Sequence, residues 1–116
     1  MRPRCNITLP MIRKRNKLLV RISELTGVPS DVILGRSGKT DNVTARSLLS
    51  WSLTDLCGYT TTQAGILIRR HYSSVIYLRN KLTTAIRLPM DIVAIMEDLK
   101  AYNKQLKQQQ NEQQKD

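Results

Sequence analysis

The side chains best suited to bind a charged ligand lie in one short segment, 69–75, which reads RRHYSSV. Its two arginines carry permanent positive charges, and the imidazole, phenol and hydroxyl groups that follow donate or accept hydrogen bonds. Serine also favours a helix start, where its oxygen accepts a backbone N–H, so Ser73 is predicted to be a cap. The segment therefore predicts charged donors in a turn, followed by a helix that begins near Tyr72, Ser73 and Ser74.

A turn of this kind suits duplex DNA. In a helix-turn-helix, the first turn of the second helix enters the major groove, where a serine bonds a base edge or a phosphate. The helix N-terminus itself also favours a phosphate oxygen. The residues assigned to these contacts are Arg69, Arg70, His71, Tyr72, Ser73, Ser74, Tyr77 and Lys81. The alternative is that Ser73 only caps the helix and that the arginines only aid solubility.

A second basic candidate is the segment 35–40, which reads GRSGKT. Its end is similar to a phosphate-binding P-loop, but that motif needs a preceding strand and a glycine at the position where Ile33 stands. Nucleotide hydrolysis is therefore disfavoured. We predict a flexible loop from which Arg36 and Lys39 follow a nucleic-acid backbone or enter a minor groove. The alternative is a solvated connector.

The excess positive charge is concentrated towards the start of the chain. Within the net charge of +10, residues 1–46 carry 10 basic and 3 acidic side chains, residues 47–86 carry 4 and 1, and residues 87–116 carry 5 and 5. This distribution predicts a polyanionic partner. On its own it is equally compatible with RNA, anionic lipid or simple solubility.

The apolar pattern predicts an all-α protein. Stripes at three- and four-residue spacing mark helices that end at Gly27 and Gly58, because glycine suits the left-handed position after a helix end. Ser30 is predicted to cap a short helix between them, and the segment 40–42, TDN, to cap a long central helix.

Two further helices are predicted after the central one. Thr60 and Gln63 have the spacing of a capping box, which opens a short helix to about Ile68. The helix after the basic turn carries an apolar stripe of Val75, Leu78, Leu82 and Ile86. A short helix, a basic turn and a longer helix form the outline of a helix-turn-helix in a compact helical domain.

The C-terminal helix has apolar residues at heptad spacing. They are Leu88, Ile92, Ile95, Leu99, Tyr102 and Leu106. This seam could form a homodimer or bind a protein partner, although one short heptad run more commonly packs on its own domain. Residues 107–116, KQQQNEQQKD, have no apolar side chain and are predicted to be disordered.

Three blocks of the sequence resemble the C-terminal DNA-binding domain, domain IV, of the bacterial replication initiator DnaA. The block 22–34 is similar to the family's opening helix and its D-L-L turn, and VTAR at 43–46 is similar to the basic entry to its long helix. RHYSSVI at 70–76 is similar to the family's R-D-H-T/S-T-V motif. The resemblance covers about residues 16–86 and implies a Trp-repressor-like helix-turn-helix.

The resemblance also implies roles for individual residues. Arg46 is expected to reach a minor groove or a phosphate, residues 71–73 to face the major groove, and Ser74 to touch a phosphate. The expected organisation is a basic N-terminal arm (1–15), a domain IV-like helix-turn-helix domain (16–88), a C-terminal helix (89–106) and a polar disordered tail (107–116). The family's ATPase module is not expected, so the chain resembles a stand-alone module, such as a small regulator or a mobile-element accessory protein.

The motif departs from the family at three positions. His71 stands where the family has aspartate, Tyr72 stands where it has histidine, and a family glycine before the motif is lost or replaced by Arg69. An aspartate accepts hydrogen bonds from cytosine amino groups, whereas histidine and tyrosine offer other donors. We therefore do not expect this chain to recognise the family's own DNA box.

Other chemistries are disfavoured. Cys5 and Cys57 are far apart, with no CxxC and no paired histidine, so neither a zinc site nor a disulfide framework is predicted. His71 is the only histidine, so an enzyme is the least expected class, and no cofactor is predicted. No run of about 18 apolar residues is present for a membrane span. We expect a cytoplasmic protein.

The leading hypothesis is sequence-selective binding of double-stranded DNA, in the regulation of replication or transcription. The second is a protein-interaction module that keeps the DnaA-like fold, lacks specific DNA readout and docks through its last helix. RNA binding is a weaker third, because one Trp, four Tyr and no Phe leave few stacking surfaces for single strands.

Overall fold

The computed structural model describes residues 7–36, 38–85 and 88–114. Its helices are α1 (Leu9–Thr26), α2 (Ser30–Ile33), α3 (Thr40–Trp51), α4 (Thr61–Ile68), α5 (Tyr72–Thr83) and α6 (Met90–Gln114). These residues contain no strand, which confirms the all-α prediction. None of the described helices has the length and apolar character needed to cross a membrane. Cys5 and Ile86 lie outside the described residues.

α3 is the central helix of the core, and it packs against α5, α1 and α2. Its buried apolar residues include Ala45, Leu48 and Leu49. Past Trp51 the helix continues as a π-helical turn, Ser52–Leu56, to the predicted end at Gly58, which has a φ of 75°. The buried hydroxyls of Ser50 and Ser52 donate to the carbonyls of Arg46 and Leu48 one turn back, so these polar groups are satisfied within the core.

α1 begins earlier than the sequence predicted. Thr8 caps it by accepting the Met11 N–H at 3.4 Å, and Pro10 suits the first turn because it has no N–H to satisfy. Residues 9–15 of the predicted basic arm are therefore helical, while residues 1–6 lie outside the described part of the chain. The predicted end of α1 is confirmed, since Gly27 is left-handed with a φ of 77°.

The predicted capping box before α4 is confirmed. Thr60 Oγ1 accepts the Gln63 N–H at 3.1 Å, and Gln63 Oε1 accepts the Thr60 N–H at 3.0 Å. The caps predicted for α2 and α3 were wrong by one position or more. Pro29 and Lys39 hold the extended cap positions, so Ser30 and residues 40–42 lie inside their helices.

The heptad seam of α6 faces its own domain. Leu99 and Leu106 are buried, and the other seam residues are half-buried against the core. Arg21 of α1 holds Asp98 through two bonds of 2.8 Å, and the Asn103 amide donates to the Leu56 carbonyl at 3.1 Å. The surface predicted for a homodimer or protein partner is therefore used within the chain.

α6 also continues to Gln114, through most of the segment predicted to be disordered. Lysine, glutamine and glutamate are good helix formers, and neither glycine nor proline follows Pro89. The helix that is already formed against the core therefore extends past the last apolar residue, Leu106, because adding a residue costs less than starting a helix.

Candidate nucleic-acid interface

α4 and α5 are joined by a turn of three residues, Arg69–His71. The chain reverses at Arg69, which is left-handed with φ 61° and ψ 42°. The Arg69 N–H donates to the Ile66 carbonyl at 3.3 Å, and the Arg70 N–H donates to the Gly65 carbonyl at 2.8 Å. These bonds fix where α5 starts relative to α4.

Gly65 allows this turn to lie directly against α4. A Cβ at this position would stand 2.6 Å from the Arg70 carbonyl oxygen and 3.4 Å from the Tyr72 nitrogen. Both neighbours are backbone atoms, so neither can rotate away. The close approach is therefore available only to glycine.

The Gly35 carbonyl connects the loop before α3 to this turn. It accepts hydrogen bonds from Nη2 of Arg46 at 3.0 Å and from Nη2 of Arg70. The next residue, Arg36, and also Lys39, are exposed on the same loop. The basic loop before α3 and the basic turn before α5 are thus held side by side, although Gly35 and Arg70 are 35 residues apart in the sequence.

Arg46 does not lie where the resemblance implied. Arg46 is only 5% exposed, and its Nε donates to the Ile33 carbonyl at 2.9 Å in addition to the bond to the Gly35 carbonyl. Burial, and then the charge of Arg70, lower the pKa of Arg46. The prediction that Arg46 contacts DNA is therefore corrected: Arg46 holds the loop in place from inside the domain. Arg70 is half-buried, and its bond to the Gly35 carbonyl also helps to hold the loop.

His71, rather than Ser73, caps α5. Its Nδ1 accepts the Ser73 N–H at 3.3 Å and lies 2.8 Å from Ser73 Oγ. With Nδ1 as the acceptor, the ring proton lies on Nε2, which is then a hydrogen-bond donor at the exposed turn. The His71 ring also lies beside that of Tyr72, with centroids 4.3 Å apart. The sequence did not indicate this cap because histidine is not among the usual N-cap residues.

The outer face of α5 carries exposed side chains of both aromatic and cationic type. Tyr72 is 48% exposed, Tyr77 is 62% exposed, and Ser73 is exposed between them, whereas Ser74 is half-buried. The Lys81 ammonium lies 5.1 Å from the centre of the Tyr77 ring. No Asp or Glu occurs from residue 56 to residue 90. Asp55, just before this range, is paired with Arg79 of α5, so α5 keeps a net positive charge and is rich in hydrogen-bonding groups.

Arg15 of α1 is a further basic residue at this surface that the sequence did not single out. Its Nη1 donates to the Leu67 carbonyl near the end of α4 at 2.8 Å. Burial, and then the charge of Arg69, lower the pKa of Arg15. In the sequence it is one charge of the N-terminal excess, and no local pattern indicates a contact 52 residues away.

Metal chemistry has no visible site in the part of the chain that the structure describes. No three His, Cys, Asp or Glu side chains come together there as metal ligands.

Comparison with protein-family models, curated proteins and solved structures found no match to this chain. The function must therefore be argued from the residues and their geometry.

Arg69 offers a test of this surface, because one residue carries both a strained backbone and a charge. We expect Arg69→Gly to raise the free energy of unfolding by about 0.5–1 kcal/mol, since glycine adopts a positive φ without steric cost. Arg69→Ala removes the same charge and keeps the strain. Both variants lose the same charge, and only the glycine variant should be more resistant to urea. Equal urea midpoints for the two variants would contradict the role given to the backbone.

Proposed function

We propose that this chain binds duplex DNA sequence-selectively, with α4, the turn and α5 acting as a helix-turn-helix whose second helix enters the major groove. The observation that carries the proposal is the shared Gly35 carbonyl, which holds the basic loop beside the start of α5. The surface so formed carries an excess of positive charge, as binding to a duplex requires: α4 and α5 contain no acidic residue, and Asp55, which precedes α4, is paired with Arg79 of α5.

The exposed residues divide into two groups by their chemistry. Arg36, Lys39, Arg69 and Lys81 carry charges suited to phosphates on either side of the groove, and such contacts position the protein without reading sequence. His71, Tyr72 and Ser73 lie at the first turn of α5, where donors and acceptors meet base edges. The resemblance to DnaA domain IV is in keeping with this division, except that Arg46 supports the basic loop and does not itself contact DNA.

The experiment that tests the proposal is selection of bound duplexes from a random DNA pool, followed by binding to the recovered sequence at several salt concentrations. Four phosphate contacts predict a slope of log affinity against log salt of about −4. Lys81→Gln should make the slope shallower by about 1. Lys104→Gln is the matched control, since Lys104 is exposed on α6, and it should leave the slope unchanged.

Two outcomes would contradict the proposal. A slope near zero would mean that phosphates are not bound. Equal affinity for all duplexes, with association that does not depend on DNA, would instead support the protein-interaction hypothesis.

A further inference from the structure

Ile76 is an apolar residue in the middle of the outward face of α5. It is 38% exposed, while the opposite face of the helix buries Val75, Leu78 and Leu82 in the core. Ile76 is not among the residues packed against that core. Ile76 therefore presents part of an apolar side chain at the surface, outside the core cluster.

The position of Ile76 on the helix places it one turn beyond the first base-reading residue. Ser73 and Ile76 are three residues apart and lie on the same helix face. Their rise along the helix axis is about 4.5 Å, against about 3.4 Å for one base step. When α5 lies in the groove, both side chains are therefore within reach of neighbouring base pairs.

The chemistry of the major groove leaves one partner for such a side chain. Among the base edges in that groove, the C5-methyl of thymine is the apolar group, and isoleucine cannot bond to the others. Arg79, three residues after Ile76 on α5, is paired with Asp55, while Arg69 and Lys81 add exposed positive charge and α5 itself contains no acidic residue, so the surface matches a polyanion better than an apolar protein. We propose that Ile76 reads a thymine methyl, and that the preferred site has an A·T pair next to the pair read by Ser73.

The proposal rests on the proposed function, and uracil substitution tests it separately. Each thymine of the selected duplex is replaced in turn by deoxyuridine, which removes only the methyl group. Deoxyuridine at one of these positions should lower the affinity of the unchanged protein about fourfold, which is the effect of losing one buried methyl group. In Ile76→Ala, the same replacement should have no effect, while the other positions behave as before.

Val93→Ala is the matched control, since Val93 is 42% exposed on α6. It should show the full fourfold effect of uracil, and thermal melting should show that both variants are folded. Specific binding with no uracil-sensitive position would overturn the inference and leave the proposed function intact. The inference would also be wrong if Ile76→Ala kept the uracil effect. If no duplex is preferred in the selection, the proposed function fails first, and this inference with it.

Discussion

Replacing Gly65 with alanine is expected to destabilise the protein by about 2 kcal/mol, because the added methyl group cannot be accommodated. Its Cβ would lie 2.6 Å from the Arg70 carbonyl oxygen, which belongs to the turn backbone. Either the turn moves away from α4 or the end of α4 unwinds. In both cases Tyr72 and Ser73 lose their position, and DNA affinity should fall about tenfold in the molecules that remain folded.

Urea denaturation followed by helical circular dichroism measures the first effect, and binding well below the midpoint measures the second. Gly38→Ala is the stability control, since a Cβ there meets nothing within 4 Å. Its unfolding free energy should equal that of the unchanged protein or exceed it by up to about 1 kcal/mol, because alanine has less conformational freedom in the unfolded chain. If Gly65→Ala were as stable as Gly38→Ala, the close packing of the turn on α4 would be refuted.

Replacing Arg46 with alanine should lower the unfolding free energy by about 3 kcal/mol, the largest stability loss expected here. The guanidinium donates to the carbonyls of Ile33 and Gly35, and without it both oxygens lose a charged donor inside the domain. Arg46→Lys keeps the charge but not the fork of donors, so it should recover only part of the loss.

The salt dependence of DNA binding separates this supporting role from a direct contact. If Arg46 only holds the loop, the folded fraction of Arg46→Ala binds DNA with the same salt slope as the unchanged protein. If Arg46 contacts a phosphate, as the resemblance implied, Arg46→Ala makes the slope shallower by about 1. If Arg46→Ala kept the unfolding free energy of the unchanged protein and showed a shallower salt slope, Arg46 would be a DNA contact and not a support for the loop.

What the sequence predicted well depends on neighbours along the chain. The capping box of Thr60 and Gln63 and the left-handed glycines at Gly27 and Gly58 are local patterns, and all three are present. The start of α5 at Tyr72 is a local pattern of the same kind.

What the sequence did not predict depends on contacts between distant segments. Arg46 looked like an exposed charge, because nothing near it in sequence shows that the carbonyls of Ile33 and Gly35 surround it. The contact of Arg15 with Leu67 also joins residues far apart in the chain. Ile76 lies outside the apolar stripe that the sequence predicts for α5, but residue spacing does not show whether another element covers it, and only the structure shows that it is 38% exposed.

The central claim is that the first turn of α5 reads DNA sequence. The most direct measurement is competition between the selected duplex and a scrambled duplex of the same composition, for the unchanged protein and for Tyr72→Ala and Ser73→Ala. We predict a preference of about a thousandfold for the selected duplex, reduced about tenfold in each variant with little change in affinity for scrambled DNA. Equal affinity of the unchanged protein for both duplexes, or a preference that neither substitution alters, would contradict the claim.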